Sequence, residues 1–204
     1  MLTLKRSSIN MPEITTIRES LYWCYANLAM AHAAVTQQTP IYNRTHFMIR
    51  SRLYKGLIDQ TMAMGSIADD ERLKMILPQA CHYCGKSEKL SIDHLIPTAH
   101  GGQDRAENFV WACQSCNSAK RDTDMLDWYR MRGEFPPLLL LRRYLKVVIE
   151  ICAKGNMFDT ELGNAPPLPF SLHSIPHNFP KPSESRCKAV SYTHLRAHET
   201  KANL

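Results

Sequence analysis

Two short cysteine pairs constrain this chain more tightly than any other feature. Cys81-His-Tyr-Cys84 and Cys113-Gln-Ser-Cys116 both read C-x-x-C, and 28 residues separate them. Each spacing holds two sulfurs about one turn apart, which suits an edge of a tetrahedral site with zinc–sulfur bonds of about 2.3 Å. Gly85, directly after the first pair, supplies the tight turn that such a knuckle needs. Disulfides, or four unrelated buried thiols, are the competing accounts. The N-terminal stretch MLTLKRSSINMPEITTIRES lacks the continuous apolar segment of a secretory signal, so the expected location is cytoplasmic. Disulfides are disfavoured there, and a structural Zn2+ held by Cys81, Cys84, Cys113 and Cys116 is the expectation. Cys24, Cys152 and Cys187 have no partner at such a spacing; Cys24 and Cys152 fall on apolar helical stripes and are expected in the core.

The 204 residues allow one or two domains, and 44% apolar with 22% charged residues are globular values. The most apolar stretch, Phe135 to Leu141, runs straight into Arg142 and Arg143, far short of the roughly 20 residues a bilayer requires. No membrane association is therefore expected. A net charge of +6 leans toward a polyanionic partner without identifying one.

Five segments follow from the patterning. Residues 1–79 read as an N-terminal helical region. Ile14, Ile17, Leu21, Cys24, Leu28 and His32 mark a helix over 13–35, with Pro12 in its first turn. A second helix is expected from Thr45 to Met64, with Arg50, Arg52, Lys55 and Asp59 as its charged residues, and a short third one opens at Ser66 and ends at Pro78. Residues 80–132 change character: LSIDHLI and NFVWAC read as strands between turn signals. Residues 133–155 hold a C-terminal helix after Pro136 and Pro137, ending at Gly155. Residues 156–189 are proline-rich and are expected as an extended arm or a disordered tail. Val190 to Thr200, VSYTHLRAHET, resembles the translation of a sequencing-library adapter, so 190–204 is read as non-native and set apart from fold reasoning.

Between the cysteine pairs, Leu90 to Lys120 reads LSIDHLIPTAHGGQDRAENFVWACQSCNSAK. With Cys81, Cys84, Asp93-His94, Pro97, Gly101-Gly102, Asn108, Cys113, Cys116, Asn117 and Lys120, this segment resembles the zinc-bound form of the HNH endonuclease family. The resemblance implies an α+β, mostly helical chain: a zinc-stabilised ββα-metal (HNH) core flanked by N-terminal helices and a C-terminal helix. It implies His94 as general base, and Asp93 and Asn117 as ligands of a catalytic divalent cation, Mg2+ with Mn2+ as the alternative. Asn108 would hold the loop that carries His94. Products would carry 5′-phosphate and 3′-hydroxyl ends.

The residues suit that chemistry physically. A neutral imidazole accepts a proton near pH 7. A positioned base is worth about a hundred- to ten-thousand-fold in rate. A metal with two protein ligands keeps positions open for phosphate oxygens and water. Because Asp93 and His94 point to opposite sides of a strand, the strand end is expected to be distorted if both serve one target. Lys120 and Arg121 are expected to face a DNA backbone. His100 could meet a phosphate, with an exposed loop residue as the plainer account. Many relatives carry glycine after the lysine; Arg121 in its place predicts a helix continuing toward Trp128. Arg130, Arg132, Arg142, Arg143 and Lys146 could extend a phosphate track or form a solvated face.

The expected function is a metal-dependent endonuclease acting on DNA ahead of RNA. The rival is a non-catalytic zinc module that binds nucleic acid or protein, for which Asp93, His94 and Asn117 would be incidental.

Overall fold

In a computed structural model of the chain, residues 11–76 and 78–185 are described, so Cys187 and the adapter-like segment 190–204 lie outside the described residues. Six helices and one two-stranded sheet make up the regular structure there: α1 (Ile17–Thr36), α2 (Arg44–Ile58), α3 (Ile67–Ile76), β1 (Leu90–His94), β2 (Phe109–Cys113), α4 (Gln114–Lys120), α5 (Met125–Met131) and α6 (Leu138–Lys154). The α+β, mostly helical class expected from the sequence is the class observed. No helix among the described residues is long and apolar enough to cross a membrane.

One hydrophobic cluster joins α1, the sheet with its loop, α5, α6 and the arm. Ile17, Leu21, Cys24 and Leu28 of α1 contribute to the same core as Leu141, Tyr144, Leu145, Val148 and Cys152 of α6. Leu95, Ile96, Val110 and Ala112 bring the sheet and its loop into it. Cys24 and Cys152 are fully buried, as their stripes indicated.

Helix ends depart from the sequence expectations where local chemistry outweighs periodicity. Helix α1 starts at Ile17 rather than near residue 13, because Thr16 and Glu19 form a reciprocal capping box. The residues before it are extended and pair with the arm: Leu162 N–H donates to Thr15 C=O, and Ile17 N–H to Thr160 C=O. Helix α2 stops at Ile58, six residues early. Gln60 takes a left-handed backbone (φ 57), and Met62 folds back onto Gly56, where a Cβ would lie 2.6 Å from its side chain. Arg50 is not on a solvated face. It is buried, with its guanidinium over the Trp23 ring at 4.5 Å and donating to Asn27 Oδ1 at 3.2 Å.

The proline-rich segment is an ordered arm over its described part. The His177 carbonyl accepts from the Trp23 indole and the Asn27 amide, the His177 ring meets Ser20 Oγ at 2.8 Å, and the Pro180 carbonyl accepts from the Tyr42 hydroxyl. Phe179 packs edge-on against Phe135. The chain strings the apolar and capping groups that α1 needs along 157–180, which explains why a segment without periodicity is nevertheless fixed.

Arg121 breaks the helix that was expected to run on to Trp128. Its backbone sits at φ 52, ψ −132, and α5 begins afresh at Met125 under the Asp124 cap. This conformation is costly for any residue with a Cβ, typically about 1–3 kcal/mol. Arg121→Gly is expected to raise stability by about 1 kcal/mol in chemical denaturation, after the unfolded-state entropy of glycine is deducted. A loss of stability would show that the arginine side chain outweighs its backbone strain.

Candidate functional site

The site is built outward from the four thiols. Cys81 and Cys84 sit on a turn in which Gly85, at φ 82, donates its N–H to the Cys81 carbonyl at 2.8 Å. Cys113 ends β2 and Cys116 lies in the first turn of α4, so strand and helix deliver the second pair together. All four Sγ atoms lie within 4.8 Å of one another. The 3.6 Å separation of Cys84 and Cys113 Sγ is close to the edge of about 3.8 Å expected for tetrahedral zinc thiolates. Burial works to raise the Cys113 thiol, but the Cys116 backbone N–H and the neighbouring thiols outweigh it and bring it to about 7. These four cysteines form a cluster that could hold a metal such as zinc.

The residues between the first two cysteines join the knuckle to the sheet. His82 N–H donates to the Trp111 carbonyl at 2.8 Å, and Trp111 N–H donates back to His82 Nδ1 at 3.0 Å. Those Trp111 groups face away from β1, so the knuckle satisfies the outer edge of β2. Tyr83 is buried and donates its hydroxyl to Asp93 Oδ2 at 2.5 Å. Burial, then the adjacent Asp93 carboxylate, hold that hydroxyl well above its ordinary range. Neither residue carries a role in the sequence motif. The available signal was their position between two ligands, where the backbone is least free.

Strands β1 and β2 are antiparallel, and the register runs without interruption from Leu90↔Cys113 to His94↔Phe109. The expected distortion at the strand end is absent, and ordinary alternation places the side chains. Ser91 and Asp93 lie on the face with Val110 and Ala112, which α4 covers. Ile92 and His94 lie on the other, more open face with Trp111 and Phe109. Asn117 donates its amide to Ser91 Oγ at 2.9 Å, so Asp93 and Asn117 share the α4 side. The His94 ring stands edge-on to Phe109 at 4.9 Å on the opposite side.

Lys120 is not at the surface. It is 1% exposed, donating from Nζ to the His94 carbonyl at 2.7 Å and to Asp93 Oδ1 at 3.3 Å. Burial lowers its pKa while Asp93 opposes the shift. The expectation of a phosphate-facing lysine is therefore corrected: the aliphatic stem crosses the core and the ammonium neutralises a buried carboxylate. Arg121 is exposed one residue on, and His100 is exposed at the end of the Thr98–His100 turn.

Asn108 is 2% exposed and bonds in three directions. Its Oδ1 accepts from Ile96 N–H at 2.9 Å, while Nδ2 donates to the Ile96 carbonyl at 2.8 Å and to the Gln103 carbonyl at 2.9 Å. Gly102 lies so close beneath this loop that a Cβ there would fall 2.0 Å from the Ile96 oxygen. The loop brings Asp104, which sequence reasoning passed over, to His94: Oδ1 lies 2.9 Å from Nε2.

Three basic residues of α6, Arg142, Arg143 and Lys146, turn inward to carboxylates, while Lys154 at its end is exposed. Arg142 and Lys146 pair with Asp70, and Arg143 pairs with Glu71 and donates to the Ala106 carbonyl at 2.6 Å. These ion pairs tie α3 and α6 to the turn that carries Asn108, and no phosphate track runs along α6.

With this geometry in view, comparison with known families gives one result. Residues 81–123, 43 of the 204 residues, match the model described as HNH endonuclease. No curated protein and no solved structure matches the chain. The match and the cysteine cluster point to a nuclease-type or nucleic-acid-binding function with a site that could hold zinc.

Lys120→Ala is expected to destabilise the fold by about 3–5 kcal/mol in denaturant unfolding, because it strands the Asp93 carboxylate in the interior. An exposed phosphate contact would instead leave stability unchanged and alter only the salt dependence of binding.

Proposed function

We propose that the protein is a metal-dependent HNH endonuclease that hydrolyses DNA phosphodiester bonds, with zinc on the four cysteines as its structural ion. The observation that carries this reading is the state of His94 within the matched segment. Its side chain is 28% exposed at the end of β1, beside an oriented carboxylate, while its neighbours are sequestered.

In the proposed reaction His94 takes a proton from water as the water oxygen bonds to phosphorus. The bond to the 3′-oxygen breaks, leaving 5′-phosphate and 3′-hydroxyl ends once that oxygen has taken a proton from solvent. Asn108 keeps the loop after His94 at fixed height and does not touch substrate. Asp93 and Asn117 are the oxygen donors that would hold Mg2+, or Mn2+ in its place. When bound, that ion supplies Lewis-acid stabilisation of charge on the phosphoryl group and departing oxygen. The donor types suit a hard cation, and Asp93 must release Lys120 or Tyr83 to present an oxygen to it. Arg121 and His100, both exposed within the matched segment, are the proposed backbone contacts on DNA. A cytoplasmic setting accords with the free thiols.

Two observations favour the rival, a non-catalytic zinc module: Asp93 and His94 lie on opposite faces of an undistorted β1, and both Asp93 oxygens already have partners, Tyr83 and Lys120. A plasmid cleavage assay with Mg2+ or Mn2+ decides between them. His94→Ala is expected to retain its fold and zinc but lose about a hundred- to ten-thousand-fold in cleavage rate. Absence of cleavage by parent and variant alike, with DNA retention by both, would establish the binding module. Cys116→Ser is expected to lose zinc, measured by metal analysis of the purified chain, and with it folded structure and activity together. A folded Cys116→Ser protein with normal cleavage would remove the zinc frame from the account.

A further inference from the structure

The structure places one carboxylate against the proposed base, and this inference rests on the reading of His94 given above. Asp104 Oδ1 lies 2.9 Å from His94 Nε2, and the Asp104 side chain is 79% exposed. An exposed carboxylate with no support would be a fluctuating contact of small energy. Here the backbone on both sides of it is anchored. The Gln103 carbonyl accepts from the Asn108 side chain at 2.9 Å, and the Arg105 carbonyl accepts from the Asn108 backbone N–H at 2.9 Å. The same Asn108 side chain holds Ile96, two residues beyond His94, by both its N–H and its carbonyl. One buried amide therefore fixes the strand end that carries the imidazole and the loop that carries the carboxylate. Phe109, edge-on to the ring, limits its remaining rotation.

We propose that Asp104 is a positioning residue for His94. An ionised carboxylate accepts only, so Nε2 must carry the proton and donate it to Oδ1. The lone pair then sits on Nδ1, and that nitrogen is the one that receives the proton from water. The carboxylate also stabilises the imidazolium formed when the proton arrives. Its placement is otherwise unfavourable, since a negative charge on the face that meets DNA repels the substrate. That opposition gives the test its sign. If Asp104 only repels DNA, removing its charge lowers KM and leaves kcat unchanged or higher. If it positions His94, removing the charge lowers kcat even though DNA binds no worse.

The experiment uses the full chain, with the ring nitrogens of His94 observed by NMR and assigned by their loss in His94→Ala. In the parent, the Nε2–H tautomer is expected for His94. In Asp104→Asn the neutral amide can donate to the ring, and the population is expected to shift toward Nδ1–H with unchanged thermal stability. Plasmid cleavage by Asp104→Asn is expected to fall by about tenfold to a hundredfold in kcat, the scale on which a partner that orients a working imidazole contributes. Asp104→Glu, which keeps the charge, is expected to recover part of that loss. An unchanged His94 tautomer in Asp104→Asn overturns the inference whatever the activity. A tautomer that shifts in a protein that never cleaves DNA upholds the positioning role and refutes the nuclease reading instead.

Discussion

Four sulfurs lie within 4.8 Å of one another, and a metal on them would tie together a part of the chain whose own regular elements are short. The segment from Cys81 to Lys120 offers a sheet of only two five-residue strands and a helix of seven residues. Elements this short do not persist alone, because a two-stranded sheet is marginal in water and a two-turn helix costs more to nucleate than it returns. A metal on the cysteine cluster would supply the missing constraint at the point where β2 becomes α4. From there the dependence spreads outward. His82 and Tyr83, fixed between two cysteines, reach Trp111 and Asp93, and Lys120, one turn beyond Cys116, closes the same carboxylate from the far side.

A second constraint sits in the long loop between the strands, and it is a hydrogen-bonding one. Asn108 satisfies both backbone groups of Ile96 and also takes the Gln103 carbonyl, so one side chain does what a third strand would do. Arg143 reaches the neighbouring Ala106 carbonyl from α6. The helical part of the molecule is thereby connected to the loop between the strands through a buried arginine that is itself neutralised by Glu71. Burial lowers the Arg143 pKa to about 10, which leaves it charged at neutral pH and able to serve as this link.

The parts of this arrangement that were legible in the sequence are those carried by spacing. The two C-x-x-C pairs announced their own convergence, the strand-like runs around Asp93 and Trp111 pair as strands, and the long helix after Pro137 begins and ends within a residue of its sequence signals. What stayed illegible depends on partners distant in sequence. Arg50, Lys120, Arg143 and Lys146 look alike as letters, and nothing local indicates that each is buried against an aromatic ring or a carboxylate. Arg121 misled for a related reason: its identity argues for a continuing helix, while the Asp124 cap and the entry to α5 force a backbone that suits glycine. Asp104 was overlooked because a lone aspartate in a glycine-rich loop has no signature until the loop is closed.

The regular ladder through His94 also bears on how a site of this kind can work. Alternation sends the imidazole to the open face and the Asp93 carboxylate beneath α4, so the two groups share a backbone position and not a cavity. On the proposed reading, a phosphodiester engages both only at the end of the ladder, where the paired strands stop and the chain turns into Leu95. That end is where Lys120 holds the His94 carbonyl and Asn108 holds Ile96, which makes it the most firmly bonded stretch of the loop. A base that works from one face and an ion held from the other tolerate little relative movement, since a displacement of about 1 Å in such constellations can cost a hundredfold in rate. The dense bonding around Asp93, His94 and Asn108 is then the condition under which chemistry divided between two faces of one strand could act on a single phosphate.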